Sequence, residues 1–143
     1  MSDFTMRRLR AEELPGLTGV DPSLLADRRK WRVVNALVGL GFSWVAERAG
    51  RPIGYAVASR YFYDYPFIDL LVVAETERRS GVGSALVARC QSDHDADRTF
   101  TSTNESNAPM RALLARAGWT PSGQIENLDP GDPELVYVKW AKG

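Results

Sequence analysis

The chain has 143 residues, 44% of them hydrophobic and 25% charged, with 18 Lys and Arg against 18 Asp and Glu. That length suits a single domain, 1–143, around one core, and the even charge argues against nucleic acid as a partner, which needs a basic surface. One cysteine, Cys90, and one histidine, His94, leave neither an internal disulfide nor a Cys/His zinc site, so no metal is expected. The amino terminus lacks the apolar stretch of a signal peptide, and no run reaches the ~18 apolar residues of a membrane span. The expectation is a cytoplasmic protein, monomer or homodimer, with no membrane partner.

In chain order, Phe4 to Leu9 reads as a first strand. A helix is expected from about Pro22 to Leu37, with Asp21 as its cap and Pro22 in its first position. Leu24, Leu25, Trp31, Val34 and Val38 fall on one face of it, and Gly39 and Gly41 end it. Phe42 to Glu47 is the next strand, followed by a turn at Gly50-Arg51-Pro52 and a strand from Ile53 to Arg60. In that strand Gly54, Ala56 and Ala58 make a small face that a helix or ligand could approach closely. Tyr61-Phe62-Tyr63-Asp64-Tyr65-Pro66 reads as the end of that strand followed by a turn. Phe67 to Val73 is almost wholly apolar, which predicts a central strand buried on both faces. A glycine turn leads into a helix ending near Ser92, with Val82, Ala85, Leu86 and Cys90 inward. The stretch from Asp93 to Asp97 around His94 reads as a solvated helix end. Arg98 to Thr103 is a strand, Asn107 to Ala117 a helix stopped by Gly118, and strands start at Trp119 and Leu135. The order is mixed α/β, with a strand–helix–strand crossover at the centre that makes two parallel neighbours.

The chemistry centres on Arg78-Arg79-Ser80-Gly81-Val82-Gly83, between a buried strand and a helix. Backbone N–H groups at such a turn are unclaimed, the helix dipole adds partial positive charge, and glycine admits a close approach. Arg78 and Arg79 add full charge, so the loop suits a pyrophosphate. No lysine follows, as a Walker loop requires, and position 86 is Leu rather than the third glycine of a dinucleotide loop.

In that context Arg78, Gly81 and Gly83 match the loop Q/R-x-x-G-x-G/A, and Asn107, Leu113, Gly118 and Trp119 match a second pattern, roughly N-x-x-A-x-x-L-Y-x-x-x-G-F. On these residues the sequence resembles the GCN5-related N-acetyltransferase (GNAT) family, most closely over Phe67 to Trp119. The resemblance implies a GNAT-like acyl-CoA N-acyltransferase fold of about seven strands and about four helices, antiparallel in its first half. Strands four and five would be parallel and splayed. It also implies acetyl-CoA (coenzyme A) as cofactor. Its pantetheine arm would pair with Leu71, Val72 and Val73 like an added strand. Its pyrophosphate would sit on Arg78, Arg79, Ser80, Gly81, Val82, Gly83 and Ser84, with Asn107 near the thioester.

The implied activity is direct transfer of an acetyl group to a primary amine of a small molecule or peptide. The amine must lose a proton to a base, and Asp69, a carboxylate inside the apolar run, is the first candidate, with Glu105 second. The family's usual tyrosine acid is replaced by Leu114. Tyr137, Ser102 or Thr103 could supply a hydroxyl instead, or a thiolate could leave unaided. A non-catalytic acyl-CoA-binding module is the alternative reading. For the acceptor, Trp31, Tyr61, Tyr63, Asp64 and Tyr65 are the candidates, because aromatics with a carboxylate suit an amine.

Overall fold

A computed structural model describes residues 3–141; residues 1, 2, 142 and 143 of the expected domain range lie outside the described residues. One sheet of seven strands has the order β1-β2-β3-β4-β5-β7-β6. Its strands are β1 (Thr5–Arg8), β2 (Trp44–Arg48), β3 (Arg51–Phe62), β4 (Tyr65–Val73), β5 (Arg98–Asn104), β6 (Thr120–Ile125) and β7 (Glu134–Trp140). Every neighbouring pair is antiparallel except β4 with β5. The four α-helices are α1 (Ser23–Ala26), α2 (Arg28–Val38), α3 (Val82–Ser92) and α4 (Ala108–Arg116).

The sheet carries a hydrophobic cluster on each face. Val82, Leu86, Val87 and Cys90 of α3 and Leu114 of α4 pack with Ala56, Ala58 and Ile68. Leu24, Val34 and Val38, with Leu14 and Leu17 of a short 3₁₀ segment, pack on the other side with Val45, Tyr55 and Val57. The small face of β3 receives α3: a Cβ on Gly54 would stand 3.1 Å from Val82 Cγ1 and 3.2 Å from Leu86 Cδ1. Alternation would put Ile53 on the face of Tyr55 and Val57, but it joins the α3 cluster instead.

The expected long helix over 22–37 is two helices. Asp27 adopts extended angles (φ −108°, ψ 105°), and its carboxylate accepts from Arg29 N at 3.0 Å and Lys30 N at 3.1 Å. A second N-cap inside the run therefore restarts the helix. The break also changes the helix face: Leu24 is fully buried, whereas Leu25 is 48% exposed. Asp21 keeps its capping role, since its carbonyl accepts from Leu24 N at 3.1 Å and its carboxylate from Ser23 N at 3.2 Å. One turn also differs. Ala49 and Gly50 both have positive φ, so the β2–β3 turn sits there, and Arg51 and Pro52 lie within β3. Tyr63 (φ 53°) and Asp64 (φ 69°) form the β3–β4 turn, and Pro66 is inside β4. Two positive-φ residues match the twist of a tight hairpin, although Tyr-Asp is an uncommon occupant.

Candidate active site

The site begins where β4 leaves β5. Their pairing consists of Phe67 with Phe100 and Ile68 with Thr101, after which the strands part. The Thr101 hydroxyl donates to Ile68 O at 2.9 Å and closes the apex of the opening. Beyond it, β4 runs on with an unpaired edge. The expectation that the apolar run would be buried on both faces is corrected here: Asp69 is exposed and Leu70 to Val73 are half-buried. An apolar strand with a free edge is a place for a ligand to add as a strand.

Asp69 stands at the apex for a local reason. The β3–β4 register steps from Val57–Leu70 to Ala58–Ile68, so Asp69 is the extra residue of a bulge. The bulge takes it out of the ladder and turns its side chain beside the buried Ser59. By alternation Ser59 shares the β3 face of Tyr55 and Val57, the face covered by α2. The carboxyl reaches solvent through the cleft, yet the protein around it desolvates the charged form. Burial pushes its pKa up to about 6, against the partial relief of hydrogen bonds from Ser59 and the backbone.

The basic loop closes the other end of the strand. Gly81 has φ 89°, and a Cβ built on it would meet nothing within 4 Å, so the loop presents open space where a side chain would project. Arg79 is also left-handed at φ 68°, and the Ser80 hydroxyl donates to Glu77 O. Among the described residues, the N–H groups of Arg79 to Ser84 meet no backbone acceptor; the first return is Ala85 N to Gly81 O at 3.0 Å. Arg78, Arg79, Ser80, Gly81 and Ser84 are exposed, while Val82 and Gly83 are buried. Gly83 is a glycine for packing rather than for a ligand: its Cβ would come within 3.0 Å of Leu113 Cδ1 and 3.5 Å of Val73 Cγ2.

A scan of protein families matches residues 5–119 to the Acetyltransferase (GNAT) family. The chain belongs to the GNAT acetyltransferase family. A GNAT acetyltransferase from Bacillus cereus ATCC 10987 superposes with a TM-score of 0.88 at 25% identity, over 99% of this chain and 100% of that one. Ard1 from Thermoplasma volcanium gives a TM-score of 0.78 at 17% identity, over 99% and 100%. YncA from Salmonella typhimurium, solved with its cofactor acetyl-CoA, gives 0.71 at 15%, over 97% and 94%. The last two show the shared fold. A search among curated proteins gave no significant match. GNAT proteins use acetyl-CoA, and this chain's free β4 edge, open Gly81 turn and unclaimed N–H groups fit it.

Several residues expected in the GNAT site have other duties. The Asn107 side-chain oxygen caps α4, accepting from Met110 N at 3.3 Å, which leaves its amide nitrogen for a ligand. Glu105 is exposed; its N–H donates to Pro133 O at 2.9 Å and its carbonyl accepts from Arg111 at 3.0 Å. Ser102 donates to Glu134 at 2.7 Å, and Thr103 is buried. Tyr137 pairs in register with Thr101, one strand from the apex, and is 6% exposed in the cluster that holds Leu114. Leu114 itself is fully buried, a core residue at the family's tyrosine position.

Four of the acceptor candidates, Tyr61, Tyr63, Asp64 and Tyr65, lie along the β3–β4 hairpin. Tyr61 and Tyr63 are 66% and 83% exposed at the β3–β4 hairpin, and Asp64 is a turn residue. Tyr65 packs against Phe100 and lies beneath Arg98, 4.5 Å from its ring centroid. Trp31 instead lines an open cavity of about 520 Å3 on the α1–α2 face, with Leu25, Arg28, Arg32 and Asn35. Sequence reasoning took Arg28, in the run Arg28-Arg29-Lys30, as part of a solvated face and did not single out Arg32. Their signal was the i, i+3, i+4, i+7 spacing of Arg28, Trp31, Arg32 and Asn35 on one helix face.

Proposed function

We propose that this GNAT protein is an N-acetyltransferase that moves an acetyl group directly to a primary amine of a small molecule or peptide within a ternary complex. The observation that carries the reading is Asp69, bulged out at the apex of the β4–β5 opening with a pKa near 6. Bound acetyl-CoA supplies a thioester acetyl group, so that the new N–C bond forms as the C–S bond breaks, giving an amide and a free thiol.

The chain's own residues do the rest. The edge of Leu71, Val72 and Val73 orients the cofactor arm, and the N–H groups of Arg79 to Ser84 with the charges of Arg78 and Arg79 hold its phosphates. The free amide nitrogen of Asn107 donates near the reacting end. A base with a pKa near 6 is ionised at neutral pH and still strong enough to accept the amine's proton. Glu105, exposed at the end of β5, is proposed as a second carboxylate that attracts the amine. Tyr137 is the proposed proton source for the thiolate, and a thiol is acidic enough near neutral pH to leave without it. Cys90 offers no covalent detour, since burial pushes its thiol up to about 12.

Leu114 favours a second reading, a GNAT-like module that binds acyl-CoA without turnover. A panel of amines with acetyl-CoA and thiol detection separates the two. Thiol release that depends on the amine is the expected result. Stabilisation by CoA with no release on any amine would establish the module instead.

A further inference from the structure

We infer that the acceptor carries a carboxylate on the same skeleton as its amine, and that Arg28 and Arg32 receive it. This rests on the transferase reading above. The cavity of about 520 Å3 beside α2 is lined by Leu25, Arg28, Trp31, Arg32 and Asn35. Its size suits a small organic molecule. Its chemistry is cationic, aromatic and amide, with no carboxylate in the lining. Arg28 and Arg32 stand one helical turn apart, both exposed, and neither has an ion-pair partner among the described residues. The nearest acid in the chain, Asp27, is engaged as the cap of α2. Lys30, on the same helix, is neutralised by Asp21 at 2.7 Å. Two unpaired guanidinium groups around a hollow are a receptor for a planar anion, which they can hold with paired N–H bonds.

The helix that bears both arginines covers the sheet face of Tyr55 and Val57. Trp31 packs on the cluster of Tyr55 and Val57, as do Leu70 and Val72. Asp69 precedes Leu70 and adjoins Ser59 on that face. On this inference the acceptor's amine goes to Asp69 and its carboxylate to Arg28 and Arg32, with its carbon skeleton against Trp31.

The test compares amino acids with their carboxamides, using acetyl-CoA and thiol detection on the whole protein. The free acids should show kcat/KM about tenfold or more above the carboxamides, as charge-assisted hydrogen bonds allow. In an Arg28→Gln, Arg32→Gln double variant the two should become equal. An Arg28→Glu, Arg32→Glu variant should reverse the preference toward diamines, a change that a folding defect would not produce. Turnover of carboxamides as fast as acids by the natural protein would overturn the inference and leave acetyl transfer standing. No thiol release from any amine would overturn both.

Discussion

At the scale of single residues, the account turns on Asp69, Gly81 and Leu114. Asp69 is raised above the ordinary carboxylate range, so its base form accumulates as pH rises through about 6. The predicted kcat/KM therefore falls about tenfold per unit below pH 6 and levels off above it. Asp69→Asn should lose about 10²-fold in kcat/KM and lose that limb, with CoA affinity nearly unchanged. A limb near 6 that survives in the variant would remove Asp69 from the reaction. Burial without a full partner also makes Asp69 a cost to the fold, so Asp69→Asn should raise Tm at pH 8. Gly81 makes a different demand. At φ 89° a branched residue is strained, and its side chain would fill the open space above the loop. Gly81→Val should abolish CoA binding in calorimetry; near-normal affinity would contradict the phosphate site. Asp69 and Gly81 were legible in the sequence, one as a charge in an apolar run, the other as a glycine between arginines and a helix. The bulge behind Asp69 was not, because nothing in the run marks a register step.

At the scale of elements, periodicity and punctuation located every strand and the major helices, with ends displaced by a few residues. The failures fall at residues whose backbone is set by their tertiary surroundings. Asp27 caps a second helix, and Pro66 is accommodated inside a strand. Tertiary contacts decide such positions, and a single sequence carries no mark of them. Asp21 shows the same limit. It caps α1, as its position suggests, and it is also the buried hub that ties α1 and α2 to β3. The Tyr55 hydroxyl donates to it at 2.6 Å, Lys30 at 2.7 Å and the Ser23 hydroxyl at 2.8 Å. Burial alone would raise its pKa, but these three partners together hold it below the usual range. Asp21→Ala strands the phenol of Tyr55 and the ammonium of Lys30, at a cost of about 3 kcal/mol, whereas Tyr55→Phe should cost about 1 kcal/mol. Chemical denaturation of the two variants checks the ratio, and equal costs would contradict the hub.

At the scale of the whole molecule, a two-sided core holds β4 and β5 together at one end and lets them part at the other. His94 belongs to the closed end. Burial, and then Arg60, depress its pKa below 6.5, against the opposing charges of Asp93 and Asp95. One ring nitrogen meets Thr99 Oγ1 at 2.6 Å, and the other is buried without a partner. A histidine kept neutral in the fold contributes stability above about 6.5, lost as pH falls below that value. Denaturation at pH 7.5 and 5.5 should show the loss, and His94→Gln should reduce it. The free strand edge runs from Asp69, at the apex, to the basic loop at the open end. The most direct measurement follows the acetyl label. Acetyl-CoA labelled in its acetyl group is mixed with protein and an amine, quenched within one turnover, and analysed by mass spectrometry. The label should be found on the amine, matched by free thiol, with none on the protein. Label that stays on CoA, or ends as acetate while the cofactor binds, would contradict the assignment of this chain as an N-acetyltransferase.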